Sequence, residues 1–327
     1  MRPILLQGHT RPLTQIKYNR EGDLLFTVAK DKVASVWYSH NGERVGTYNG
    51  HLGSIYTIDV NDNSTICITG SGDNTAKLWE VRTGKCLFTW TEETAVKRVQ
   101  FSEDNKMVLF VTEQRMGFPG GIKIYSIDEN LSSEQNPEPI SVINNSSDTT
   151  KKFTVAAWTA NDKNLAVGHL DGSLSIIDWK NGEVLCSSHP HSEQIMDIQM
   201  SSDKSYFITA SKDKDAKLIE TNTLSLLKNY STDTPLNSAS ITPVTDFVVV
   251  GGGQEAMNVT TTSARQGKFE CRFYHKIYAE EIGRLKGHFG PINTIAVEPT
   301  GKGFASGGED GYVRLQQFDP EYFKFKM

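Results

Sequence analysis

The sequence predicts an all-β chain folded as a seven-bladed β-propeller, closed by an N-terminal strand that completes the last blade. Three observations predict it. First, His9, His51, His191 and His288 each stand 22 residues before an aspartate, namely Asp31, Asp73, Asp213 and Asp310. Second, six residues beyond each aspartate lies a fixed strand position, filled by Trp37, Trp79, Ile219 and Gln316. Third, Gly8, Gly50 and Gly287 precede three of the histidines, and the step from His9 to His51 is 42 residues. A period in the low forties with Gly-His and Asp…Trp signals marks the WD-repeat blade, a four-stranded sheet that packs on its neighbours in a ring.

Applying the same step along the chain places blade starts near residues 9, 51, 93, 149, 191, 233 and 288. The gaps are 42, 42, 56, 42, 42 and 55, so blades three and six carry insertions of 14 and 13 residues. Blade three loses its aspartate but keeps an apolar strand, Ile122-Lys123-Ile124-Tyr125, after a widened Met116–Gly121 turn. The polar Asp128–Pro139 loop widens it again. Blade six keeps Val248-Val249-Val250 and then inserts Gly251–Lys268 before Phe269–Ile277.

Strand and turn chemistry agree. Leu13–Tyr18 and Ile55–Val60 alternate with period two, and Leu24–Val28 and Phe207–Thr209 are short β-rich runs between turn residues. Asn-Gly at 41–42 and 181–182 and Asp-Gly at 171–172 and 310–311 supply tight turns. Ile4-Leu5-Leu6 precedes Gly8-His9 as Gly283-Arg284-Leu285 precedes Gly287-His288, so it reads as an outer strand with no blade of its own. The last blade, Asn293 to Asp319, lacks that strand. Pairing the two closes the ring and covers an exposed edge. The expectation is a single propeller over residues 1–327.

Composition fits. At 327 residues the chain is long for one compact core, but a propeller distributes its core between neighbouring blades. No apolar run reaches membrane-spanning length, and Met1–Gln7 is too short for a signal peptide. Cys67, Cys86, Cys186 and Cys271 have no Cys-x-x-Cys spacing and read as reduced thiols of a cytoplasmic protein. A net charge of −5 argues against a nucleic-acid-binding surface over the whole molecule.

Histidine, serine, aspartate and tryptophan together suggest catalysis, and blade two holds the full set: His51, Ser71, Asp73 and Trp79. Its recurrence argues otherwise, because an active site is built once. His9, Asp31 and Trp37, His191 and Asp213, and His288 and Asp310 are therefore read as structural networks in which buried polar groups satisfy one another. Ala29 and Gln316 are departures, the first from the hydroxyl and the second from the indole. No Gly-x-Ser-x-Gly, His-Glu-x-x-His or phosphate-loop motif occurs. Gly251-Gly252-Gly253 lacks the lysine and helix of a phosphate cradle, and His189 with His191 lacks a third metal ligand. The sequence thus predicts no enzyme, no cofactor and no metal.

Partner contacts should then break the repeat or sit on insertions. Asp203, in the turn between the first two strands of blade five, Tyr206 just beyond it and Glu220 at the end of the third strand should share one side of the ring. They form an acidic patch with an aromatic, suited to a basic helix or tail. In blade six, Arg265, Lys268, Arg272 and Lys276 interleave with Phe269, Phe273 and Tyr274, a mixture that stacks on RNA bases or grips an acidic partner. The alternation of Phe269, Cys271 and Phe273 also fits a buried strand. The tail Tyr322-Phe323-Lys324-Phe325-Lys326 either packs on the ring or awaits a partner.

Several stretches exceed the generic repeat: Gly-Asp-Leu-Leu-Phe at 22–26, Val-Trp-Tyr-Ser-His-Asn-Gly-Glu-Arg at 36–44, Gly-Gly-Gly-Gln-Glu-Ala-Met-Asn-Val-Thr-Thr-Thr-Ser at 251–263, Gly-His-Phe-Gly-Pro-Ile-Asn at 287–293 and Gly-Gly-Glu-Asp-Gly-Tyr-Val-Arg at 307–314. The chain resembles, over essentially its whole length, the family of subunit i of eukaryotic translation initiation factor 3. The 251–263 stretch is the most specific, because repeat geometry does not dictate an insertion.

The resemblance implies a non-catalytic cytoplasmic scaffold that joins the b and g subunits of that factor. It would act with the small ribosomal subunit as part of the complex, supporting 43S pre-initiation complex assembly and mRNA scanning. It implies that the C-terminal helix of subunit b docks on blades five and six. Asp203, Tyr206 and Glu220 match that surface, with Glu220 where an aspartate can stand. The alternative is a WD-repeat adaptor of a receptor- or kinase-associated signalling complex; a third reading is a direct RNA binder using residues 265–276.

Overall fold

The computed structural model describes residues 3–128, 134–145, 148, 150–253 and 269–319. These form seven antiparallel four-stranded sheets. Six are sequential meanders, such as blade one with Leu13–Tyr18, Leu24–Ala29, Val33–Tyr38 and Arg44–Asn49. The seventh is not sequential. Ile4–Leu6 pairs with Val313–Gln317 in the register Ile4↔Leu315 and Leu6↔Val313, so the N-terminal strand completes the last blade and closes the ring.

The core lies between sheets. Its apolar clusters join neighbouring blades, as where Phe26 and Val36 of blade one pack with Ile58 and Trp79 of blade two. The closing seam is of the same kind: Leu6, Val313 and Leu315 pack on Leu13, Leu25 and Trp37. Every residue inside a blade therefore faces one of two neighbours, which is why both alternating faces of the inner strands are apolar.

Strict period-two alternation is interrupted once in each first strand. The register shifts at Leu13/Gln15, Ile55/Thr57, Val96/Arg98, Phe153/Val155, Ile195/Asp197, Leu236/Ser238 and Ile292/Thr294. A bulge tightens local twist and turns one side chain out of the ladder. Here the freed side chains stitch blades together. Thr14 donates to the Ile55 carbonyl at 2.7 Å, Thr154 to that of Ile195 at 2.7 Å, and Asn237 to that of Ile292 at 2.9 Å. Asn293 donates to the Leu13 carbonyl at 2.8 Å, which crosses the closing seam.

The predicted turns hold. Gly42 sits at φ +74 and donates its N–H to the Tyr38 carbonyl at 2.8 Å, a left-handed position that glycine fills without strain. Two boundaries differ from the sequence reading. Gly251 and Gly252 belong to the strand Phe247–Gly252, and the next strand is Glu270–His275. Close packing explains the glycines: a Cβ on Gly251 would lie 2.5 Å from Ile295, and one on Gly252 would lie 2.1 Å from the Pro235 carbonyl. In blade three the widened turn is a hairpin extension, closed by a bridge between Arg115 and Phe118 with Met116 at its tip.

Candidate partner-binding surface

Strand direction sorts the loops onto two faces. The histidine loops and the turns holding Asp31, Asp73, Asp213 and Asp310 lie on one face; the turns after the first and third strands lie on the other.

On the first face, four blades repeat one hydrogen-bond chain. In blade two, Trp79 Nε1 donates to Thr69 Oγ1 at 2.8 Å, His51 Nε2 lies 2.7 Å from that hydroxyl, and His51 Nδ1 lies 3.0 Å from Asp73. Blade one repeats it through Trp37, Thr27, His9 and Asp31, with the two histidine contacts both at 2.9 Å. Blade five uses Thr209, His191 and Asp213, and blade seven uses Ser306, His288 and Asp310. Each aspartate also accepts the backbone N–H after its histidine, as from Leu52 at 2.7 Å.

This corrects the sequence reading on the hydroxyl. Ser71 is not the link between indole and imidazole; it donates to the Ser54 carbonyl at 3.1 Å and accepts the Asp73 N–H. The link is the strand residue 18 after the histidine, Thr27, Thr69, Thr209 or Ser306, so Ala29 deprives blade one of nothing. That fixed spacing was the signal available in the sequence. The glycine of each Gly-His pair also has a cause: a Cβ on Gly50, at φ +152, would press on Trp79 at 3.2 Å. In blade seven the indole is absent and Arg314 takes its place beside Gly287, donating to Asp310 at 3.0 Å.

The electrostatics follow. Burial lowers the His51 pKa despite Asp73, which favours the neutral ring. Burial alone would raise the aspartates, but hydrogen bonds outweigh it: Asp73 is lowered by Thr75, Leu52 and His51, and Asp213 falls to about 2 beside His191 and Ser192.

The opposite face carries the blade-five residues. Tyr206 and Glu220 are directly paired across adjacent strands, and Asp203 lies in the turn just before Tyr206. The structure thus brings the three together. Asp203 accepts from the hydroxyls of Ser201 at 2.7 Å and Ser205 at 2.8 Å, and these bonds lower its pKa. Glu220 accepts from the Thr223 hydroxyl and its N–H and from Asn222, with the same effect. Both are exposed or half-buried carboxylates held in fixed directions.

The acids themselves are ordinary for the repeat, since Asp104 bonds Ser102 and Glu80 bonds Thr83 in the same way. Tyr206 is what differs. The equivalent pair in blade two is Ile66↔Glu80. Lys276 reaches over from blade six to within 5.9 Å of the Tyr206 ring centre while pairing with Asp246 at 3.0 Å, a link the sequence did not reveal.

The basic blade-six set is not one surface. Arg265 and Lys268 lie outside the described residues, as do residues 322–326 of the aromatic tail. Arg272 is only 5% exposed within its strand and pairs with Asp233, so it is held within blade six rather than facing RNA. Phe273 is buried against Phe304 and Phe318. Among the described residues no group of three or more His, Cys, Asp or Glu side chains is placed to hold a metal, and no helix is long and apolar enough to cross a membrane.

Comparison with known proteins places this geometry. The EIF3I family model matches residues 1–327. The chain is 58% identical over 327 residues to the eukaryotic translation initiation factor 3 subunit I of Botryotinia fuckeliana, covering 99% of this chain and 97% of that one. It is 56% identical over 330 residues to that of Schizosaccharomyces pombe, covering 100% of this chain and 99% of that one. A seven-bladed ring with this full-length similarity belongs to the EIF3I family, that of subunit I of eukaryotic translation initiation factor 3.

Proposed function

We propose that the protein is a non-catalytic cytoplasmic scaffold within translation initiation factor 3, linking the b and g subunits and so supporting 43S pre-initiation complex assembly and mRNA scanning. Family membership supports the role in translation initiation. One observation carries the mode of action: Asp203, Tyr206 and Glu220 converge at one end of blade five, beside Lys276 of blade six. Two fixed carboxylates and an aromatic suit a basic segment, with the C-terminal helix of subunit b as its source. A rigid ring holding two partners raises their effective concentration for one another and needs no chemistry of its own.

Affinity purification from cell extract tests the reading, using the tagged wild-type chain and Asp203→Lys/Glu220→Lys. Initiation factor 3 subunits should accompany the wild type, and the folded double variant should lose subunit b. Capture of a signalling complex without initiation factors would overturn the proposal. Retention of b by the double variant would remove the blade-five surface from it.

A further inference from the structure

The outer strands of blades one, two and five each plug the seam to the next blade with a large aromatic. Tyr48, Trp90 and Tyr230 stand directly across from Ala34, Ala76 and Ala216, and each is no more than 2% exposed. Each ring meets an aromatic of the following blade: Tyr48 lies 5.9 Å from Trp79, Trp90 5.8 Å from Tyr125, and Tyr230 5.7 Å from Tyr274. The polar tips find carbonyl acceptors, with Tyr48 donating to Val81 at 3.2 Å, Trp90 to Asn136 at 3.0 Å and Tyr230 to Lys276 at 2.7 Å.

Among the described residues, the seam between blades three and four has no such aromatic plug. Its register position, across from Ile122, holds Ile143. The facing wall is shortened as well. Where blade two presents Lys77, Trp79 and Thr89, blade four presents Ser175, Ile177 and Ser187. The inner seam stays closed, because Leu109, Val111 and Ile124 of blade three pack with Ala156, Trp158 and Val167 of blade four. Outside them a cavity of about 590 Å³ opens between the outer strands, with Ile143, Ile177, Val184 and Ser187 in its walls. Val184, 54% exposed, forms its outer rim. Among the described residues, Ser141–Asn144 is the edge strand of its sheet, paired on one side.

We propose that this seam is a docking site for an extended polypeptide segment of a partner, which runs beside Ser141–Asn144 and inserts a tryptophan or tyrosine into the cavity. The occupant is read from the protein's own solution, since tyrosine or tryptophan fills the equivalent space at three of the six other seams, the remaining three having Ser188, Leu285 and Leu6 at that register position. An indole or phenol buries a large apolar area at low rotamer cost and carries one polar tip, and carbonyl acceptors meet that tip at the filled seams. An open strand edge supplies main-chain hydrogen bonds to an extended chain. The site is independent of the blade-five surface, so either stands without the other.

The test is saturation-transfer NMR of the full chain with N-acetyl-tryptophanamide, N-acetyl-tyrosinamide and N-acetyl-leucinamide. Wild type is compared with Ile143→Trp, which fills the cavity from within, and with Val184→Arg at the exposed rim, each checked for fold by circular dichroism. A nonapeptide display library selected on wild type and counter-selected on Val184→Arg adds the polypeptide arm. The two aromatic probes should bind wild type at least about tenfold more tightly than either variant and more tightly than the leucine probe. Selected peptides should centre on tryptophan or tyrosine among strand-forming residues. Equal binding to wild type and the variants, equal binding of the leucine probe, or peptides without a central aromatic would overturn the proposal. Should Ile143→Trp fail to fold, Val184→Arg decides alone.

Discussion

Tyr206 and Glu220 face each other across adjacent strands of blade five, and Lys276 of blade six lies over the tyrosine ring 5.9 Å from its centre. The aromatic therefore belongs to two blades at once. Tyr206→Ala should reduce capture of subunit b about tenfold or more, as loss of an aromatic anchor does. Its partial burial limits the accompanying stability loss to about 1–3 kcal/mol. Quantitative pull-down beside urea unfolding separates the two effects. Unchanged capture would remove Tyr206 from the contact.

Thr69→Val should cost more stability than Ser71→Ala. The first leaves the Trp79 N–H and the His51 ring nitrogen unpaired inside the fold, an expected loss of about 1–3 kcal/mol. The second loses one bond to the Ser54 carbonyl and one from the Asp73 N–H. Equilibrium urea unfolding of both variants ranks them; the reverse order would place the link at Ser71 after all.

Arg272→Ala should destabilise the protein without changing any RNA affinity of the full chain. Removing a buried guanidinium forfeits its pairing with Asp233 and its packing within blade six. Thermal unfolding and filter binding with a single-stranded RNA measure the two quantities. A folded variant with weakened RNA binding would restore Arg272 as a contact.

Acid should destabilise the ring in two stages. His51 and His169 have pKa values lowered by burial, so the unfolded chain binds their protons first and stability falls as pH drops below about 6.5. Asp213, lowered to about 2 in the fold, contributes stability that is complete above its unfolded value of about 3.8 and is lost as pH falls toward 2. Asp31, Asp73 and Asp310 shift in the same direction. Urea midpoints measured between pH 7 and 2 should decline in both windows, and Asp213→Asn should flatten the lower one.

Deleting residues 1–7 should open the ring. It removes Leu6, 3% exposed, from the core shared with Leu13 and Trp37 and leaves Val313–Gln317 as a bare edge. Lower thermal stability and concentration-dependent association are expected by calorimetry and light scattering. An unchanged melting profile would deny the strand its closing role.

Much of this was legible in residue spacing. The 22-residue step from histidine to aspartate reports a local loop geometry repeated in each blade, and Ile4-Leu5-Leu6 announced its role by matching a missing element. Other residues were misplaced for physical reasons. Ser71, two residues before the aspartate, shares a strand face with Thr69, but Thr69 sits one step further into the strand, between the His51 ring and the Trp79 indole, while Ser71 at the strand end bonds the Ser54 carbonyl. Arg272 looked exposed because charge usually implies solvent, but a nearby Asp233 allowed its burial.

By itself the sequence determined the blade count, the closure and the family, since these rest on periodic local signals and on residues that can be compared one by one. Only the tertiary structure decided which hydroxyl completes each network, how Lys276 reaches Tyr206, and that the seam after Ile143 stands open. Those depend on contacts between strands and blades far apart in the chain. A side chain's neighbours across a seam are set by the packing of whole sheets, which no repeat spacing records.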